Sequence, residues 1–147
     1  MSAKSTVLIV ETFKEFYRDL NGTRLDSLPN VYDSKILFKD PVHEVRGINA
    51  LHSYMSDMYK NVTRCRFEYL DQVVSDNRAY IKWNMYFSHK SLGGKQISVR
   101  GISQIEFGDR IYYHEDVYDM GELLYEHLPI MGQVTRWLKN RMAKAVN

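Results

Sequence analysis

One stretch of this sequence concentrates the side chains that move protons. In Arg110-Ile111-Tyr112-Tyr113-His114-Glu115-Asp116-Val117-Tyr118-Asp119, strand alternation predicts Tyr112, His114, Asp116 and Tyr118 on one face. Ile111, Tyr113, Glu115 and Val117 take the other. An imidazole and a carboxylate set into an aromatic wall suit acid/base work, because burial and a nearby charge displace their titration. The same pattern fits the solvated side of an edge strand, and alternation alone does not choose. His114 and Asp116 stand ~6–7 Å apart along such a strand. That spacing is too long for a direct bond without tilting, but short enough for both to converge on one small molecule.

Three more residues belong to the proton-transfer set, each with a structural alternative. Asp40 precedes Pro41 at the end of an apolar run, where an aspartate also caps backbone amides in a turn. Ser103 sits on an otherwise apolar strand face beside Gly101, placed either to satisfy a backbone group or to donate into a cavity the glycine leaves roomy. Tyr17 lies on the inner edge of the first helix, a position that is more often core. Metal chemistry finds little support: His43, His52, His89, His114 and His127 show no ligand spacing, although His114-x-Asp116 offers two ligands. Cys65 lacks a redox motif and reads as core. Gly93-Gly94 marks a hairpin, for no strand-to-helix context makes it a phosphate loop. No motif calls for a cofactor.

Positioning these groups requires helices first and strands after. Val7, Val10, Phe13, Phe16/Tyr17 and Leu20 recur at helical steps over Lys4–Leu20, ended by Asn21-Gly22. A short helix is expected over Leu25–Tyr32, then the apolar run Ile36-Leu37-Phe38. A third helix follows from Ile48 to about Asn61, with Ile48, Leu51, Met55, Met58 and Tyr59 as its stripe. From Arg64 the period changes to two: Cys65, Phe67 and Tyr69; Ile81, Trp83, Met85 and Phe87; Ile97, Val99, Gly101, Ser103, Ile105 and Phe107. Helices followed by four long strands predict an α+β domain, helices packed on a curved antiparallel sheet. A last helix carries Ile130, Val134, Trp137, Leu138 and Met142 opposite a basic side of Arg136, Lys139, Arg141 and Lys144.

The totals bound the function classes. With 147 residues, one domain spanning 1–147 is expected, its core over about 4–119 and a helical extension over about 121–145. A formal charge of +2 gives no electrostatic case for nucleic acid. Eleven tyrosines suit a lined cavity, where each offers an apolar body and a polar tip. The single cysteine, the lack of a signal-peptide pattern and the lack of any apolar run near ~18 residues predict a cytoplasmic protein without a membrane partner.

Phe38-Lys39-Asp40-Pro41, then Gly47 opening a helix, then Arg110-Ile111 leading to His114-Glu115-Asp116-Val117-Tyr118-Asp119, resembles the nuclear-transport-factor-2-like superfamily over Lys4–Asp119. Within it the likeness is to the SnoaL-like polyketide cyclases and ketosteroid isomerases. The resemblance implies a cone-shaped α+β barrel around an apolar cavity, and a homodimer formed through the sheet. It places Asp40 where the isomerases keep their base, Tyr17 where they keep an oxyanion tyrosine, and Ser103 where they keep a protonated aspartate. Serine in that place is a departure, being a weaker and shorter donor. Asp116 falls where the cyclases keep their acid/base aspartate, with His114 beside it. Ile81, Trp83, Met85, Val99, Gly101 and Tyr118 would line the cavity. The implied activity is cofactor-independent proton transfer on a small apolar carbonyl compound, as in isomerisation, cyclisation or dehydration. The alternative is a non-catalytic module that binds a hydrophobic ligand or a protein.

Overall fold

The helical periodicity at the N-terminus becomes α1, Ala3–Arg18, in a computed structural model that describes residues 3–20, 22–119 and 129–146. Its buried face is Thr6, Val10, Phe13, Phe16 and Tyr17. The stripe therefore starts at Thr6 and not at Val7, which is exposed; the Thr6 hydroxyl donates to the Asp76 carbonyl at 3.1 Å. Asn21, half of the expected helix end, lies outside the described residues. A 3-10 segment, Gly22–Ser27, leads into one helical turn, α2 (Leu28–Val31).

Tyr32 departs from expectation. It was placed on the short helix, yet its backbone is extended (φ −113°, ψ 146°), and it opens strand β1, Tyr32–Lys39. The strand's polar Asp33-Ser34-Lys35 breaks the apolar alternation that would have marked its true start. After β1 come β2 (Glu44–Arg46), α3 (Ile48–Tyr59), β3 (Val62–Val74), β4 (Arg78–His89), β5 (Gln96–Phe107) and β6 (Ile111–Tyr118). Gly93 and Gly94 carry the β4–β5 hairpin at φ +70° and +72°, where side chains other than glycine are strained.

The strands form one curved, unclosed sheet in the order β2-β1-β6-β5-β4-β3. Every pairing is antiparallel except β1 with β6, which is parallel. The α+β architecture is the expected one, but the sheet is mixed. Parallel neighbours need a crossover, and here all the intervening chain supplies it. The helices pack on one face over a core that includes Val10, Phe13, Leu28, Ile36, Leu51, Met55, Ile81 and Ile105. The opposite face leaves Tyr80, Ile102 and Val117 exposed.

β6 is not a uniform strand. Glu106 pairs with Tyr113 and Phe107 with Ile111, leaving Tyr112 as an extra residue. Ile111 and His114 are consequently both buried, at 0 % and 1 %, while Tyr112 is 44 % exposed. The simple alternation had put Tyr112 beside His114 and Ile111 opposite; the bulge reverses both. A final helix, α4, runs Pro129–Val146. The expected extension is described from Pro129 onward, and its 121–128 portion lies outside the described residues. Val134, Trp137, Leu138 and Met142 of its apolar stripe are all exposed.

Gly101 allows the closest approach in the sheet. It pairs with Trp83 across β4 and β5, and a Cβ built on it would lie 2.3 Å from the indole. Trp83 cannot yield easily, being 2 % exposed. Gly101→Ala is expected to cost about 1–3 kcal/mol through overpacking, read as a lower urea midpoint with an unchanged slope.

Candidate functional site

Pairing register decides which side chains meet. Ser103 on β5 is directly opposite Asp116 on β6, and Phe38 on β1 pairs with His114. The indole laid over Gly101 reaches two residues along β5, where Trp83 Nε1–H donates to Ser103 Oγ at 2.9 Å. Ser103 in turn donates to Asp116 Oδ1 at 2.5 Å. His114 Nε2 lies 2.6 Å from the same oxygen. His114 and Asp116, too far apart for a bond unless a side chain tilts, are thus directly bonded. Each keeps its place on the strand, and the long imidazole leans along it to the shorter carboxylate.

The other ring nitrogen of His114 is held as well. Tyr32 Oη is 2.7 Å from Nδ1, and Tyr17 Oη is 2.6 Å from Tyr32 Oη. Phe13, Tyr17 and Phe38 stand edge-to-face around the imidazole at centroid distances of 5.1, 5.9 and 4.9 Å. Burial, then the neighbouring Tyr32 and the Asp116 charge, drive the Tyr17 phenol well above its ordinary range. Burial first, and among other causes the Asp116 charge, does the same to Tyr32. Both therefore act as neutral hydroxyls.

All of these groups except Tyr32 border a cavity of about 250 Å³. Its wall includes Phe13, Tyr17, Phe38, Met55, Phe67 and Trp83, with Asp40, Ser103, His114 and Asp116 among its polar members. Of the expected ligand-contacting residues, Trp83, Met85 and Tyr118 border it. Ile81, Val99 and Gly101 do not. Ile81 is in the core cluster, Val99 is fully buried, and Gly101 is covered by the indole. They share the inward face of their strands, but an inward side chain reaches the cavity only where nothing larger lies over it.

Asp116 Oδ1 carries both hydrogen bonds made by this carboxylate, and Oδ2 carries none among the described residues. No buried polar side-chain atom there lacks a partner, so Oδ2 is accessible, and the residue's place in the wall opens it to the cavity. Asp40 is engaged differently. Its Oδ1 accepts from the Val42 and His43 amides, both at 2.8 Å, and its Oδ2 accepts from the Tyr54 hydroxyl. That is the turn-capping arrangement, with every carboxylate oxygen already occupied. Ser103 is likewise committed, because its proton goes to Asp116. Tyr118 borders the cavity with no hydrogen bond to its hydroxyl among the described residues, and burial, then Asp40 and Asp116, raise its phenol above the ordinary range.

Two participants escaped the sequence reading. Tyr32 was assigned to a helix, and Tyr54 lies off the predicted apolar stripe of α3. Only the parallel β1–β6 pairing would have exposed the first, and only the turn geometry the second. Among the described residues, no group of three or more His, Cys, Asp or Glu converges as a metal site, and no helix is long and apolar enough to cross a membrane.

Residues 13–114 match the SnoaL-like domain, and the chain belongs to that family. Solved structures agree in fold. A nuclear-transport-factor-2-like protein of unknown function from Burkholderia pseudomallei K96243 is 13 % identical, covering 84 % of this chain and 96 % of its own, with a TM-score of 0.70. A provisionally assigned SnoaL-like polyketide cyclase from Jannaschia sp. CCS1 is 12 % identical, with coverages of 84 % and 93 % and a TM-score of 0.71. TerC, co-crystallised with polyporic acid, is 10 % identical, with coverages of 78 % and 92 % and a TM-score of 0.66. No curated protein matches the sequence. At these identities the neighbours establish the nuclear-transport-factor-2-like fold, which ketosteroid isomerase-like proteins also share.

Two outcomes follow from the site's geometry. Asp40→Ala is expected to lower stability by about 1 kcal/mol through loss of the hydrogen bonds from the Val42 and His43 amides, with Asp40→Asn recovering most of it, as read by urea unfolding. The second concerns alkaline pH. Burial, with a smaller push from Asp19, moves the Cys65 thiol from 9.0 to about 12, and burial also raises Tyr17, Tyr32 and Tyr59. Above the unfolded pKa values the unfolded chain has released these protons while the folded chain retains them, so stability falls as pH rises. The fall is expected to begin near pH 9 with the thiol and to steepen above about pH 10 with the phenols. In Cys65→Ala the earlier part of that decline disappears from the urea midpoint plotted against pH.

Proposed function

We propose that this protein catalyses cofactor-independent proton transfer on a small, mostly apolar carbonyl compound held in the central cavity. The observation that carries this reading is Asp116: one oxygen is fixed by His114 and Ser103, and the other has no partner among the described residues and opens toward an apolar cavity. A carboxylate pinned through one oxygen presents the second in a fixed direction, as a general base requires. Asp116 Oδ2 would take the proton alpha to the carbonyl, and the hydroxyl of Tyr118, without a partner among the described residues, would donate to the oxygen that becomes the enolate. The apolar wall excludes water from the intermediate and favours a ligand with few polar groups. Membership in the SnoaL-like family supports the same chemistry, since the family name is shared by polyketide cyclases. Asp40, with both oxygens occupied by protein donors, is left to hold the turn.

A test is deuterium exchange at the alpha carbon of 2-tetralone in heavy water, followed by proton NMR. Wild-type protein is expected to accelerate exchange, and Asp116→Asn to reduce the acceleration by about 10²–10⁴-fold. Asp40→Asn is expected to leave it within a few fold. Equal exchange in wild type and Asp116→Asn, with both proteins folded, overturns the assignment.

A further inference from the structure

Tyr32 has no part in the chemistry above. It does not border the cavity among the described residues, and it is 1 % exposed. Yet it is the link between His114 and Tyr17, at 2.7 Å and 2.6 Å. The order of donors along this chain can be worked out from its ends. The Asp116 carboxylate only accepts, so His114 Nε2, 2.6 Å away, carries a proton. In a neutral imidazole Nδ1 is then a lone pair, and the Tyr32 hydroxyl donates to it. That uses the single proton of Tyr32, so the contact with Tyr17 takes its proton from Tyr17. The Tyr17 oxygen is left with only lone pairs for the cavity it borders. When His114 is an imidazolium, Nδ1–H donates to Tyr32, Tyr32 donates to Tyr17, and the Tyr17 O–H is released to the cavity.

We propose that Tyr32 is a positioning residue that makes the polarity of Tyr17 in the cavity follow the charge of His114. Tyr17 is an acceptor when the imidazole is neutral and a donor when it is charged. Intermediate polarities are excluded, because each hydroxyl has one proton and each link needs one. For the substrate class this selects a carbonyl oxygen at Tyr17 in the charged state and a hydroxyl there in the neutral state. The relay also completes an enolisation. Asp116 Oδ2 takes the carbon's proton as the C–H bond breaks. The Nδ1–H bond breaks at the far end, and a proton passes through Tyr32 and Tyr17 to form an O–H bond on the substrate. One proton leaves carbon and one reaches oxygen, with no electron donor involved. This last step rests on the carbonyl-compound reading; the coupling of Tyr17 to His114 does not.

Tyr17 on α1, Tyr32 on β1, Tyr54 and Tyr59 on α3, Tyr69 on β3 and Tyr118 on β6 all sense Asp116, and burial foremost holds each phenol above its ordinary value. The other ionisable groups around the cavity are Asp116, Asp40, His114, His89 and Cys65, with His43 against the Tyr54 ring.

The test uses full-length protein without ligand, labelled with ¹⁵N in histidine rings and ¹³C at tyrosine Cζ, titrated from about pH 5 to 9 around the histidine range. The Tyr17 and Tyr32 Cζ resonances are expected to move with the same midpoint as the His114 ring nitrogens. In Tyr32→Phe the His114 signals still move, while the Tyr17 response with that midpoint is lost. A Tyr17 signal indifferent to His114 in wild type overturns the proposal, as does an undiminished response in Tyr32→Phe or a His114 that never changes charge. Should Tyr32→Phe fail to fold, the wild-type coupling alone decides. Acetophenone, an acceptor without a donor, separates the two readings. Tighter binding with His114 charged, lost in Tyr32→Phe, supports both. Coupling without acetophenone binding upholds the relay and overturns the carbonyl-compound reading.

Discussion

A histidine that is 1 % exposed must find partners for both ring nitrogens inside the protein. Unpaired, each would cost about 1–3 kcal/mol in desolvation. His114 finds Asp116 at one nitrogen and Tyr32 at the other, and much of the architecture serves that requirement. The parallel pairing of β1 with β6 brings the start of β1 near the imidazole, and α1 brings Tyr17. On the far side Ser103 and Trp83 complete the set of donors that fix the carboxylate. No buried polar side-chain atom among the described residues is left without a partner.

The polar chain runs through an otherwise apolar region, and its rigidity comes from the surrounding packing. Gly101 illustrates the dependence: without a Cβ it admits the Trp83 indole, which then reaches Ser103. Trp83 also packs edge-on against Phe67 at 5.1 Å, and Phe67 against Tyr17 at 5.7 Å. The aromatic wall and the hydrogen-bonded chain therefore share residues. Displacing a ring displaces a donor. Such coupling holds a functional group within the narrow tolerances that acid/base chemistry needs.

Two aspartates that look equivalent in a list of candidates have different surroundings. Asp40 closes a turn, its oxygens met by two amides and a phenol. Among the described residues, Asp116 has both its protein donors on one oxygen and the other stays open. The distinction lies in lone pairs, and residue type or position along a strand does not reveal it. Tyr17 and Tyr118 show a parallel contrast: both border the cavity, but one hydroxyl is engaged by Tyr32 and the other has no protein partner among the described residues.

Periodicity by itself determined the α+β class, α1, α3, the hairpin at Gly93-Gly94 and the inward faces of β3, β4 and β5, because local side-chain alternation is set by backbone geometry. It also placed Ser103 on the inward face of β5, but for His114 and Asp116 alternation left the inward and the solvated face open, and only the family resemblance pointed inward. Tertiary structure decided the rest. The start of β1 at Tyr32 was hidden by the polar Asp33-Ser34-Lys35, and the bulge at Tyr112 moved Ile111 inward and Tyr112 outward, since register depends on the neighbouring strand. Ile81, Val99 and Gly101 face inward yet miss the cavity, because whether a side chain meets open space depends on what packs over it. The link between His114 and Tyr32 joins residues 82 positions apart. Proximity at that separation is a product of the fold, and no local pattern in the chain encodes it.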